Sequence, residues 1–172
     1  SDAEDILRKV EDLIRRLAEK HRDLLRRSKE NAERIKREHD DHHRDIRRVI
    51  KEIEDNNLSE EEVKRLLDEL KRKSEETHRR SRKNLEEDKR RVEKIHEDSR
   101  RDLERIERDV RKKIKDDREL LKTVRDLLET LREINDRVRE ELRKIHEDVE
   151  RRNKEVLDRN KKLLEELERK RR

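Results

Sequence analysis

The sequence contains no cysteine, glycine, proline, methionine or aromatic residue. Without cysteine there is no disulfide scaffold and no indication of the redox compartment. Without aromatic side chains the chain lacks the usual walls of a ligand pocket, and without glycine it has no phosphate-binding loop. The sequence therefore gives little support to an enzyme, and we expect no small-molecule substrate and no cofactor.

Long apolar runs and a one-sided charge are absent as well. No more than two apolar residues follow one another, so we expect no membrane-spanning or targeting segment. The 55 basic and 50 acidic side chains alternate along the chain, whereas a nucleic-acid surface needs a segregated basic face. We therefore expect a chain that binds neither membranes nor nucleic acids and that is soluble in the cytoplasm when expressed.

What the sequence does contain is a helical pattern of charge. Charged residues make up 61% of the chain and apolar residues 26%, a balance typical of disorder, but the proline and glycine that accompany disorder are missing. Acidic residues instead precede basic ones by four positions, which stabilises helices by roughly 0.2–0.5 kcal/mol per pair. These pairs include Glu4/Arg8, Asp5/Lys9, Glu11/Arg15, Glu86/Arg90, Glu104/Arg108, Glu140/Lys144 and Glu166/Lys170. The sequence predicts helix almost throughout.

The first turn is predicted from capping residues between Asp55 and Glu62. Asn56 or Asn57 can adopt the left-handed conformation that ends a helix. Ser59 and Glu62 have the spacing of a capping box, which begins the next helix. A turn is therefore expected between these signals.

The other helix ends are predicted from weaker signals. At the amino terminus, Ser1 or Asp2 is expected to cap the first helix. A second turn is predicted at residues 115–118, with Asp116 and Glu119 as a capping box. Because neither glycine nor asparagine occurs there, a continuous helix through this point remains an alternative.

Three helices of similar length follow from these turns, at about 2–55, 60–114 and 118–171. Short turns make neighbouring helices antiparallel. We therefore predict an all-α fold in which residues 1–172 form one domain, a long coiled-coil-like bundle of three helices running up, down and up. In this register a first-helix residue n lies opposite about 115 − n on the second helix and about 118 + n on the third.

Polar residues interrupt the apolar pattern at interior positions of all three helices. The clearest interruption is Ser28–His43. The register aligns three sets at matching heights: Ser28 with Asp88 and His146; Asn31 with Asn84 and, allowing one turn of slack, Asn153; and His42 with Ser74 or Thr77 and Asn160. The predicted buried polar network comprises Ser28, Asn31, His39, His42, Ser74, Thr77, Ser81, Asn84, Asp88, His146, Asn153 and Asn160. Because an unpartnered buried polar group costs about 1–3 kcal/mol, we expect these side chains to hydrogen-bond to one another.

The seven histidines divide by their expected exposure. Those expected inside are His42 and His146, those expected on solvated flanks are His43, His78 and His96, and either placement fits His21 and His39. The candidate pH sensors are therefore His21, His39, His42 and His146. Burial lowers the pKa of an imidazole, so stability would be lost as the pH falls below about 6.5. An ionised carboxylate of Asp88 beside His146 would oppose that effect.

The combination of these features resembles a known class of protein. A chain of helix formers with short capped turns, in which Ser, Thr, Asn and His layers lie between Leu, Ile and Val layers, resembles the de novo designed helical bundles with buried hydrogen-bond networks. Its histidines resemble those of the pH-responsive members. The resemblance implies a structural scaffold whose polar layers specify helix pairing and drive acid-triggered unfolding or disassembly. The absence of glycine from both turns departs from the usual pattern.

Three alternatives stay open. We expect a monomer, but the thin apolar stripe of the second helix is compatible with a homo-oligomer or a partner-binding module that has no pH role. His39 and His43 are four residues apart with His78 at a similar height, so they are weak candidates for a metal site, although we expect no metal. Ser28, Asp88 and His146 have the residue types of a catalytic triad, but we expect their role to be structural.

Overall fold

The structure is a computed structural model that describes residues 1–170. It contains three long helices, α1 (Asp2–Asp55), α2 (Glu60–Lys113) and α3 (Arg118–Lys170), and no strand within the described residues. The helices form a three-helix bundle, which confirms the predicted all-α fold class. The second helix ends one residue before the expected 114. The expected end of the third helix at 171 lies outside the described residues.

Serine hydroxyls cap the first two helices at their amino ends. The backbone N–H of Glu4 donates to Oγ of Ser1 at 3.3 Å, and that of Glu62 donates to Oγ of Ser59 at 3.2 Å. Each hydroxyl satisfies one of the backbone donors that the first helical turn leaves without a partner. The first helices therefore begin where their capping residues predict.

The carboxyl end of α1 is closed by an asparagine side chain. The backbone N–H and the Nδ2 of Asn56 both donate to the carbonyl oxygen of Glu52, at 3.1 and 3.0 Å. No residue in the described part of the chain has a positive φ, so the prediction of a left-handed asparagine is wrong. The side chain of Asn56 thus gives the Glu52 carbonyl oxygen a second donor, and α1 ends without a left-handed residue.

The second turn caps α3 one residue later than expected. Oδ1 of Asp117 accepts a hydrogen bond from the backbone N–H of Leu120 at 3.1 Å. The prediction of a cap at Asp116 is therefore wrong. The reason is the tight turn that precedes it, in which the N–H of Asp117 bonds to the carbonyl oxygen of Ile114 at 3.1 Å. This turn also excludes the alternative of one continuous helix.

The chain divides into two compact units. Unit 1 contains Ser1–Lys29 and Asp88–Lys144, and unit 2 contains Glu30–Glu87 and the described residues from Ile145 onward. Each unit takes one segment from every helix and packs it around leucine, isoleucine and valine side chains. Burying one such side chain stabilises the fold by about 1.5–3 kcal/mol. Within residues 1–170, no helix has an apolar stretch of the length needed to cross a membrane.

The apolar cores fix the directions of the helices within each unit. In unit 1, Ile6 near the start of α1 packs in one cluster with Val110 near the end of α2 and Val124 near the start of α3. Helix α1 is therefore antiparallel to α2 and parallel to α3. In unit 2, Ile53 near the end of α1 and Val63 near the start of α2 share a cluster, as antiparallel helices require.

Candidate functional site in the buried polar residues

Most of the polar residues singled out by the sequence lie inside the units. Their exposed fractions are 8% or less for Ser28, His39, His42, Ser74, Thr77, Ser81, Asp88, His146, Asn153 and Asn160, and also for His21. Asn31 and Asn84 are half-buried. These side chains follow the same three-four spacing as the apolar core, so the helices carry them to the interior.

A histidine and an asparagine pair across α1 and α3 in unit 1. Nε2 of His21 donates to Oδ1 of Asn135 at 3.0 Å, and Nδ2 of Asn135 donates to the carbonyl oxygen of His96 at 3.2 Å. Because Nδ2 is used toward α2, the amide oxygen faces the imidazole, which places the histidine hydrogen on Nε2. The amide of Asn135 thus connects all three helices of the unit.

The same pair recurs in unit 2. Nε2 of His39 donates to Oδ1 of Asn153 at 2.8 Å, and both His–Asn pairs join residues separated by 114 positions. The expected separation of 118 is thus about one helical turn too large. For this reason Asn153 bonds His39 and not Asn31, which donates to the carbonyl oxygen of Asn84 at 3.5 Å.

A serine and an aspartate pair in unit 1, as the register aligned them. Oγ of Ser28 donates to Oδ2 of Asp88 at 2.7 Å, and both side chains are 1% exposed. NH2 of Arg91 lies 3.1 Å from Oδ1 of the same carboxylate. The buried charge is therefore balanced by a cation on its own helix. His146, the third member of the aligned set, is a buried residue of unit 2.

A second histidine pair lies in unit 2, between α1 and α2. Nε2 of His42 and Oγ of Ser74 share a hydrogen bond of 2.5 Å. Burial lowers the pKa of His42 below 6.5; Asp45 opposes this shift, and His39, Lys73 and His43 add to it. The imidazole is therefore held in its neutral form by its desolvation more than by any single neighbour.

Apart from His21, which was predicted only as a candidate pH sensor, three buried polar residues were not predicted as part of the network: His96, Ser99 and Asn135. They are 8%, 0% and 4% exposed. The expectation that His96 lies on a solvated flank is wrong, because it packs where α2 meets α3 and its Nε2 donates to Oδ1 of Asp136 at 2.8 Å. The other two expected flank histidines, His43 and His78, are half-buried.

A repeat of 18 residues would have found the missing members. His39 follows His21 by 18 residues on α1, and Asn153 follows Asn135 by the same step on α3. On α2, which runs the opposite way, His78 and Ser81 precede His96 and Ser99 by that step. Eighteen residues make about five turns of an α-helix, so equivalent residues lie on the same face. Each unit therefore carries one copy of the same polar arrangement.

The two copies differ in the adjacent layer. Unit 2 has the buried polar residues His42, Ser74 and Asn160, and the equivalent residues of unit 1 are the buried apolar ones Leu24, Val92 and Leu142. Each set takes one residue from every helix. Unit 1 therefore shows which apolar residues fit these places.

Not every buried polar atom has a partner. The hydroxyl oxygens of Ser81 and Ser99, both 0% exposed, accept or donate no hydrogen bond among the described residues, and neither does Oδ1 of Asn160. A buried polar atom of this kind costs about 1–3 kcal/mol. The networks are therefore incomplete at Ser81, Ser99 and Asn160, and Nδ1 of His78 also has no partner among the described residues.

The weak metal candidates do not form a cluster. Nε2 of His39 is used by Asn153, and His43 and His78 are half-buried. Within residues 1–170, no group of three or more histidine, cysteine, aspartate or glutamate side chains is arranged to hold a metal ion.

The chain has no detectable relatives in three comparisons. No protein family, curated protein or solved structure matches it.

Proposed function

We propose that this protein is a de novo designed structural scaffold whose buried polar layers specify helix pairing and destabilise the bundle in acid. One observation carries the proposal: three buried histidines, His21, His39 and His42, each use Nε2 to bind an uncharged side chain of another helix. Neutral imidazoles with neutral partners are typical of a layer that is stable at neutral pH and sensitive to protons.

Helix pairing would be specified by the common separation of the His–Asn pairs. If α3 slid by one turn along α1, both pairs would be separated at once, and their imidazoles and amides would meet apolar side chains. Each buried group left without a partner costs about 1–3 kcal/mol, whereas leucine and isoleucine layers tolerate such a shift far better. The polar layers therefore support one register.

The acid response would come from linkage between protonation and folding. The pKa of His42 is lowered by burial in the folded chain, so the unfolded chain binds protons first as the pH falls below 6.5. Stability is fully present above that value and decreases below it. Each such site removes at most about 1.4 kcal/mol per pH unit while it stays neutral in the folded state.

The unit-1 residues supply a matched test. The triple variant His42→Leu/Ser74→Val/Asn160→Leu gives unit 2 the apolar residues that unit 1 already has. Urea unfolding followed by circular dichroism at several pH values between 7 and 4.5 would give the free energy of unfolding and its slope with pH. We expect the free energy of unfolding to change less with pH in the variant. The reason is that this slope counts the protons taken up on unfolding and does not depend on the overall stability of the variant.

The reverse exchange is the matching gain-of-function variant. Leu24→His/Val92→Ser/Leu142→Asn should make the slope steeper, provided that the variant is helical at pH 7. Identical slopes for the wild type and the first variant, or a wild type whose stability does not fall between pH 6.5 and 4.5, would refute the acid-sensing function.

A second candidate function is a homo-oligomeric or partner-binding module without a pH role. It is favoured by three apolar residues of unit 1 that remain partly exposed, Leu7 at 45%, Leu127 at 37% and Ile134 at 37%. Sedimentation equilibrium separates the two functions. A monomer supports the self-contained scaffold; an oligomer that dissociates when these three residues are changed to glutamate supports the module.

A further inference from the structure

The two copies of the polar arrangement differ in the charge of the residue at the position beside one histidine. In unit 1, Nε2 of His96 lies 2.8 Å from a carboxylate oxygen of Asp136, so a protonated ring would stand beside a negative charge. The residue equivalent to His96 in unit 2 is His78, and the residue equivalent to Asp136 is Lys154. The repeat thus keeps the histidine and reverses the charge of the residue at its partner position.

The groups around His78 come from all three helices of unit 2. Burial lowers its pKa below 6.5, and the cations Arg82 on α2 and Lys161 on α3, together with His39 on α1, lower it further. Asp158 on α3 raises it, with a smaller effect than any of these. A proton on His78 therefore enters a partly buried and mainly positive environment, unlike one on His96.

Unit 2 also has more histidines close to one another. His39 lowers the pKa of both His42 and His78, and His43 lowers that of His42. In unit 1 the residues equivalent to His42 and His43 are Leu24 and Leu25. Protons that enter unit 2 thus repel one another, whereas unit 1 has apolar side chains in these places.

Acidic side chains near this group are mixed with basic ones, and two of them, Glu38 and Asp45, are half-buried. Beside His42 they are Asp45 on α1, which opposes the pKa shift, and the groove residues Glu38 and Asp41 on α1 and Glu76 on α2. Lys73 and Arg80 on α2 line the same groove. Around His39 and Asn153, the lining contains Asp40 and Glu155 but also Lys36, Arg152 and Arg159. Mixed charge of this kind gives the imidazoles no dedicated carboxylate such as Asp136 gives His96.

We infer that acid unfolds the two units in a fixed order: unit 2 loses its packing at a higher pH than unit 1. The inference rests on the proposed function, because it assigns the acid response to particular histidines. Its physical basis is a difference between two equivalent layers: unit 1 pairs a histidine with a carboxylate, whereas unit 2 groups several histidines in mixed charge and surrounds His78 mainly with cations.

Hydrogen–deuterium exchange of the full chain, read by mass spectrometry at stepwise lower pH and corrected for the intrinsic exchange rate, tests the order directly. We expect peptides from 30–87 and 145–170 to lose protection first, while peptides from 5–29 and 88–144 stay protected to a lower pH. Simultaneous loss, or earlier loss in unit 1, overturns the inference but leaves the proposed function standing. Protection that persists in every peptide down to pH 4.5 refutes the proposed function itself.

Charge exchange between the two copies tests the cause. Lys154→Asp gives unit 2 the carboxylate found in unit 1, and we expect it to lower the pH at which unit 2 loses protection. Asp136→Lys should raise that pH for unit 1. Lys83→Asp is the matched control, since it makes the same change on another exposed residue of unit 2 that is not the equivalent of Asp136. An equal shift for Lys154→Asp and Lys83→Asp would overturn the assigned cause.

Discussion

Nε2 of His39 and Oδ1 of Asn153 lie 2.8 Å apart, and they join α1 to α3 with the same separation of 114 residues as His21 and Asn135. The two pairs are not equally supported, however. Nδ2 of Asn135 donates to the carbonyl oxygen of His96, whereas Nδ2 of Asn153 has no partner among the described residues.

This inequality predicts different costs for the same substitution. Asn135→Leu should destabilise the protein more than Asn153→Leu, by about 1 kcal/mol, because it removes two hydrogen bonds instead of one. Urea unfolding at pH 7.5 measures both variants. Equal losses would mean that the contact between Asn135 and the His96 carbonyl contributes nothing measurable.

The buried serines provide a second matched pair. Ser28→Ala removes a hydrogen bond to the carboxylate of Asp88 and should cost about 1.5–3 kcal/mol. Ser99→Ala removes a buried hydroxyl that has no partner, so stability should stay the same or rise by up to about 1 kcal/mol. Thermal and urea unfolding check both values. A large loss for Ser99→Ala would show that its hydroxyl is satisfied in solution.

The cap of α3 can be tested by comparing neighbouring aspartates. Asp117→Ala should lower the free energy of unfolding by about 1 kcal/mol, because the N–H of Leu120 loses its acceptor. Asp116→Ala, one residue earlier, should have little effect and controls for the lost charge. If the two variants unfold at the same urea concentration, the helix is not capped by Asp117.

An interhelical ion pair in unit 1 should lose its stabilising effect at a lower pH than the range proposed for the histidines. Arg132 bonds to Glu107 and lowers the pKa of its carboxyl below 4.5; the two side chains are 29% and 19% exposed. Because this pKa is depressed in the folded state, the stabilisation is present above 4.5 and is lost as the pH falls through the folded value.

Glu107→Gln should therefore cost about 0.5–1 kcal/mol at pH 7 and progressively less below pH 4.5. Glu129→Gln is the control, since Glu129 also contacts Arg132 but is 61% exposed. Unfolding free energies at pH 7 and 3.5 distinguish the two. A Glu107→Gln cost that does not change with pH would assign the effect to packing.

The fold could be predicted from sequence because its signals are local. Ser59 with Glu62, and the spacing of Leu, Ile and Val, act within one or two turns and determine the helices without reference to the rest of the chain. The cap at Asp117 was missed by one residue, because two adjacent aspartates have the same chemistry and only the turn made by Ile114 distinguishes them.

The polar pairs depend on the register between helices, which local signals define only to about one turn. The sequence aligned Ser28 with Asp88, a pair that the structure joins by a hydrogen bond. It aligned Asn153 with Asn31 by allowing one turn of slack, but the separation of 114 places Asn153 opposite His39, eight residues later on α1. His96 was missed because its partner Asp136 is one of many charged residues on α3, and only the recurrence of His78 marks it.

The 18-residue step also makes the length of this protein adjustable. Because about five turns bring a helix back to the same face and advance it by roughly 27 Å, one such segment could be inserted into each helix with its apolar and polar faces kept in line. Under the proposed function, the choice between Leu24 and His42 at equivalent places would set the sensitivity of each segment to protons. A series of such chains could be graded in acid resistance by composition alone.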